Sequence, residues 1–260
     1  MKKRFFPFLL WSLPLFSSAQ SPITLEFLSP VQPVQDIFGL TLIEVELKNH
    51  TDSTINIRDF HFLFFKAKVD MEDKWIKFTS GNASFSNAYF IGFKGYSQNR
   101  IITSLNIFDL FKEYESQMGK QLPFDKPHNL TICACITSDI APRKFCSDEV
   151  VVTTNAMSTT DRAAFAYIAK NDYDPYRFTR TSCMEGPFSV KSNITDSLSL
   201  HYPTSTFKML ADLSIAHKKA GLKEVPEALK PEIRQLLEKP LASPYTYVRY
   251  LAEALRKRLQ

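Results

Sequence analysis

The spacing of hydrophobic positions changes once along this chain. Up to about residue 154 they alternate with polar positions in short runs, as strands do; beyond it they recur every three or four residues, as on helices. Residues 23–28 are the first predicted strand, closed by Pro30 and Pro33. In residues 40–49, Ile43, Val45 and Leu47 share the face expected to point inward, while Leu40, Leu42, Glu44 and Glu46 share the other. A polar turn over 49–54 leads to predicted strands within 55–69, 75–78, 88–93 and 100–111. A polar connection carrying Pro123 and Pro127 then leads to a hairpin over 129–154. Short strands spaced by turn signals predict an antiparallel sandwich.

Residues 55–69 break the alternation, being apolar on both parities. Phe60, Phe62 and Phe64 fall on one face, Leu63 and Phe65 on the other. A strand apolar on both faces is usually covered on both. The second face is expected beneath the C-terminal helices or, alternatively, as a partner-binding surface made by these five residues.

After Thr154, Ser158 to Asp161 offers a helix cap, with Ala164, Phe165, Ile168 and Ala169 along one side of a helix ending near Lys170. Residues 171–186 are irregular, and further helices are expected over 204–220, 226–238 and 243–259. The expected division is therefore a β-sandwich over 20–154 and a helical region over 155–260, an α+β chain. Its 260 residues, 44% of them hydrophobic, can bury one large core or two modest ones.

Composition changes the picture at the N-terminus. Residues 1–19 have the basic start (Lys2, Lys3, Arg4), apolar run and small-residue end of a secretory signal, with cleavage expected after Ala19. That places the mature chain in a bacterial periplasm or outside the cell. The apolar run is too short for about 30 Å of hydrocarbon, and no later stretch is long and apolar enough to span a membrane. Net charge is +5, and removing the three basic residues of the leader leaves +2, which gives no reason to expect a nucleic-acid partner. Seven glycines against 22 phenylalanines and 10 tyrosines argue against glycine-dependent phosphate loops, and no cofactor is expected.

Four cysteines in an exported chain suggest two disulfides. A hairpin centred between Ile140 and Ala141 sets Cys135 opposite Cys146. The remaining pair, Cys133 with Cys183, would fix the helices to the sheet. Metal and redox readings are weaker: no histidine lies close to the Cys-x-Cys pair, and no Cys-x-x-Cys is present.

No catalytic residue is assigned. His50, His61, His128, His201 and His217 are scattered, and no Gly-x-Ser-x-Gly elbow occurs. Glu44 and Glu46 share a strand face, as paired carboxylates of a glycosidase would, but solvated strand positions explain them better. Asp172 and Asp174 fit a helix-ending turn better than a calcium loop. The basic runs 217–219 and 256–258 fit helix C-termini, where the dipole favours cations.

The run VELKNHTDSTINI and the closing hairpin resemble the immunoglobulin-like sandwiches of exported bacterial proteins. The run Leu200-His-Tyr-Pro-Thr-Ser-Thr-Phe207 resembles the inter-helix turn of tetratricopeptide-type repeats, and residues 203–216 align with 241–254 at an offset of 38. Two copies are too few for a concave binding groove, so the helices are expected to pack on the sheet or on a second molecule. The expected function is a non-enzymatic binding or adaptor protein of the bacterial envelope, contacting another envelope protein. The alternatives are a carbohydrate-binding module using Trp75, Tyr89 and Tyr96, or an envelope-polymer hydrolase.

Overall fold

The structure, a computed structural model, describes residues 21–28, 31, 33–58, 63–79, 90–138, 143–171, 173–179, 192–221 and 225–260. In chain order the strands are β1 (Ile23–Phe27), β2 (Val34–Gln35), β3 (Leu40–Asn49), β4 (Ile55–Arg58), β5 (Leu63–Val69), β6 (Ile76–Phe78), β7 (Phe90–Phe93) and β8 (Gln98–Asn106), then β9 (Asn129–Thr137), β10 (Lys144–Cys146) and β11 (Val150–Thr154). The helices are α1 (Ile107–Met118), α2 (Thr159–Lys170), α3 (Ser192–His201), α4 (Thr206–Ala220), α5 (Lys230–Leu241) and α6 (Thr246–Lys257).

The strands form three sheets: β1-β3-β8; β2-β11-β9-β5-β6 with β10 also on β9; and the pair β4-β7. The expected antiparallel arrangement fails at one place, because β2 runs parallel to β11. The two residues of β2 have no hairpin partner of their own. They lie along the end of β11, where Thr153 N–H donates to Pro33 O at 2.7 Å and Asn155 N–H to Gln35 O at 3.2 Å. The chain is thus a mixed α+β fold with antiparallel and mixed sheets.

Where residues 100–111 predicted one strand, the strand stops at Asn106 and α1 begins. The Asn106 side chain accepts hydrogen bonds from Phe108 N–H at 3.0 Å and Asp109 N–H at 3.3 Å, a helix cap. Ile107, Leu110, Phe111 and Tyr114 are buried at helical spacing, and Gly119, at φ 67°, closes the helix in the left-handed conformation. The helix lies against β6, where the Gln117 side-chain amide donates to Lys77 O at 2.7 Å.

Residues 159–170 form α2 as its cap predicts, with Ser158 accepting from Asp161 N–H at 3.0 Å. The remaining helices gather around α4, which touches α2, α3, α5 and α6. At the 38-residue offset Phe207 is the second residue of α4, whereas its counterpart Tyr245 is the residue before α6, so the aligned turns enter their helices two positions apart.

One buried cluster runs from the sheets into these helices. Phe38, between β2 and β3, contacts Phe108, Phe207 and Tyr245 at ring-centroid separations of 5.3, 5.3 and 5.1 Å. Two aspartates complete the join. Asp161 accepts from Thr206 N–H at 2.5 Å and Asp36 from Thr246 N–H at 3.0 Å, so each meets the first amide of a helix, where the dipole favours a carboxylate. Burial pushes the Asp161 carboxyl up, against the hydrogen bonds from Ser158, Thr206 and Tyr245.

Candidate functional site

The six-stranded sheet has two unlike faces. Leu63, Phe65, Ala67 and Val69 of β5 and Leu130, Ile132, Ala134 and Ile136 of β9 point into the core. Period two sends Phe64, Lys66 and Lys68, with Thr131, Cys133 and Cys135, to the opposite side. The register sets Phe64 beside Cys135 and Cys135 beside Cys146; one row along, Lys77, Lys66 and Cys133 lie abreast. Three residues separate Cys146 from Val150 where their partners on β9 are separated by two, a bulge at Ser147. The Ser147 hydroxyl fills the broken ladder by accepting from Ala134 N–H at 3.0 Å.

On this face Phe64, Cys133 and Cys135 form a small apolar cluster apart from the main core, with Trp75 packed against it. The Sγ atoms of Cys135 and Cys146 are 2.07 Å apart, disulfide distance. Cys133 keeps a free, buried thiol whose Sγ lies 3.8 Å from that of Cys135. Burial pushes the Cys133 thiol up; Lys66 and Lys144 oppose this and Glu149 adds to it. Cys146 is exposed, so the three sulfurs run from the sheet interior to its surface.

Four lysines cover the cluster. Lys77 Nζ lies 4.2 Å and Lys144 Nζ 5.2 Å from the centre of the Phe64 ring, and Lys66 and Lys68 stand 5.3 and 5.0 Å from that of Trp75. Their stems supply the apolar cover and their ammonium groups the surface charge. Among the described residues none of the four forms an ion pair with a carboxylate. Desolvation first, then crowding by Lys66 and Lys77, lowers Lys144 to about 8.

The structure distributes the other sequence candidates. Leu63 and Phe65 belong to the core, and Phe64 is 2% exposed beneath lysine stems where the C-terminal helices were expected. Phe60, Phe62, His61, Tyr89, Asp172, Cys183 and the leader 1–19 lie outside the described residues. Glu46 is 7% exposed and pairs with Lys48 at 3.1 Å, which makes it a buried ion-pair member instead of a solvated strand residue. Asp174 pairs with Lys112 at 2.6 Å and accepts from Tyr176 N–H at 3.0 Å, fitting the turn reading. His50 meets the Thr24 hydroxyl at 3.0 Å, and His201 makes a tilted ring contact with Tyr167 and an edge contact with Tyr202. His128 is buried between Asp70 at 3.0 Å and Pro123 O at 2.7 Å. Burial and Arg258 lower His217, while Arg258 donates to Gly221 O at 2.7 Å and so caps the end of α4. Tyr96 is 77% exposed in a turn between β7 and β8, and Trp75 is half-buried next to β6. Sequence reasoning missed the lysine cover, although Lys66, Lys68, Lys77 and Lys144 all follow from strand parity once the pairing is known.

No family model matches this chain and no curated protein matches it in sequence. Among solved structures, a β-glucosidase from Listeria innocua in complex with glucose is 12% identical at a TM-score of 0.32, covering 52% of this chain and 16% of its own. The sporulation control protein Spo0M from Bacillus subtilis is 8% identical at 0.31, covering 57% and 54%. A CARDB domain from Pyrococcus furiosus, solved with di-metal ions, is 8% identical at 0.24, covering 51% and 86%.

Proposed function

We propose that this chain is an exported, non-enzymatic adaptor of the bacterial envelope, an immunoglobulin-like sandwich with a small helical region that binds another envelope protein. The observation that carries this reading is the outer face of the six-stranded sheet, where Lys66, Lys68, Lys77 and Lys144 spread over an aromatic and sulfur layer without carboxylate partners among the described residues. A half-buried tryptophan beside four cations that have no carboxylate partner among the described residues suits an acidic protein surface, since complementary charge sets orientation and encounter rate. The leader-like segment 1–19 supports an encounter beyond the inner membrane.

Cross-linking in the native envelope tests the reading. A discrete cross-linked species is expected for the wild-type chain, with a mature N-terminus at Gln20. It should be lost in a Lys66→Glu, Lys68→Glu, Lys77→Glu variant whose melting temperature is unchanged. Cross-links indifferent to the charge reversal would overturn the lysine face as the binding surface, and retention of residues 1–19 would overturn the cleaved leader.

A further inference from the structure

The sulfurs of Cys133, Cys135 and Cys146 all lie within 4.8 Å of one another. They form a compact triangle. Thiol–disulfide exchange requires the attacking sulfur in line with the bond it breaks, so a triangle serves it poorly. It suits three ligands sharing one ion. Two thiolates on a tetrahedral zinc at about 2.3 Å stand about 3.8 Å apart, and Cys133 and Cys135 are separated by 3.8 Å. Cys133 and Cys135 are two positions apart on β9, which puts them on one face, and Cys146 meets Cys135 from β10.

We propose that, once the Cys135–Cys146 bridge is reduced, Cys133, Cys135 and Cys146 bind one thiophilic d10 cation, zinc foremost, as three thiolates on the outer face of the sheet. This is independent of the adaptor reading. A dithiol supplies the reduction: its two thiols close into a disulfide while two electrons and two protons pass to Cys135 and Cys146. The ion then displaces the three thiol protons to solvent and forms three metal–sulfur bonds. Three thiolates on a divalent ion leave one net negative charge. Lys66 and Lys144, whose charges act on Cys133, offset it, and the fourth position is left to a small exogenous ligand. The exposed side of the site, at Cys146, gives the ion its entry path. The oxidised chain has only the Cys133 thiol here, so the bridge switches the site on and off.

The test uses the full-length mature chain carrying Cys183→Ser, with the bridge intact and after dithiol reduction and removal of the reductant. The reduced chain is expected to hold one equivalent of Zn2+ against a chromophoric chelator, to show a thiolate charge-transfer band with Cd2+, and to melt higher with metal than without. The oxidised chain should do none of these. Adding Cys133→Ser, or separately Cys146→Ser, should weaken zinc retention by about 100-fold or more, since losses one shell further out already reach 10–100-fold. Equal retention by oxidised and reduced chains, retention unaffected by either serine variant, or failure of the reduced Cys183→Ser chain to bind would each overturn the proposal. Because the cadmium band reports thiolate bonds directly, a serine variant that misfolds but keeps the full band also counts against it.

Discussion

Phe64 and Phe65 are neighbours on β5, and both are buried, at 2% and 1% exposed. Phe65 faces a deep apolar core, where it meets Phe78 at a centroid separation of 5.5 Å. Phe64 faces Cys135 and is roofed by Lys77 and Lys144. Equal burial is thus reached by different means, close packing on one side and amphipathic lysine stems on the other. A low exposure says that water is absent, and it does not say what excludes it.

Four measurements test that contrast. Phe65→Ala should cost about 3–5 kcal/mol in urea denaturation, because a close-packed core collapses little around a cavity. Removing the bridge with Cys135→Ala and Cys146→Ala should cost up to about 3 kcal/mol, the chain-entropy value for a loop of about 15 residues. Phe64→Ala should cost only about 1–2 kcal/mol, since lysine stems can settle into the space. A cost equal to that of Phe65→Ala would show the two faces to be packed alike. The smallest effect is expected from Lys144→Gln. Lys144 titrates near 8 when folded against 10.5 as a free side chain. Between those values the unfolded chain carries the extra proton, so this group's contribution to stability rises with pH across the window. At an exposed, solvent-screened site the gain is a few tenths of a kcal/mol. Lys144→Gln should therefore stabilise slightly at neutral pH and lose that rise, as read from melting temperatures between pH 7 and 10.5.

The sheet was the more legible part. Ile43, Val45 and Leu47 alternate so regularly that the structural bounds of β3 match the predicted 40–49, and the hairpin centre alone sets Cys135 opposite Cys146. Period two needs no partner to be read. What the pattern hid was conditional on neighbours. In α1, Ile107 keeps the parity of Ile101, Thr103 and Leu105 in β8 and masks the change of period, although Asn106 and the spacing Ile107, Leu110, Phe111, Tyr114 mark a helix start. β2 is legible only beside β11, since two residues hold no period at all. The outer-face site was hidden for a similar reason. Lys66 and Lys77 look like ordinary exposed strand positions until the pairing sets them beside Cys133.

Asp36 accepts hydrogen bonds from the Asn155 side chain at 2.9 Å and from Thr246 N–H, 210 positions downstream. A clasp of that span makes completion of the fold a late event. A chain emerging N-terminus first can pair β1 with β3 early, but Phe38 waits for Tyr245 until nearly all of the sequence is out, and contacts of such separation are slow to find. During that interval Phe38 lacks the cover that Tyr245 supplies. A nascent or C-terminally clipped chain is therefore the form most exposed to aggregation and to proteolysis, however stable the finished one becomes.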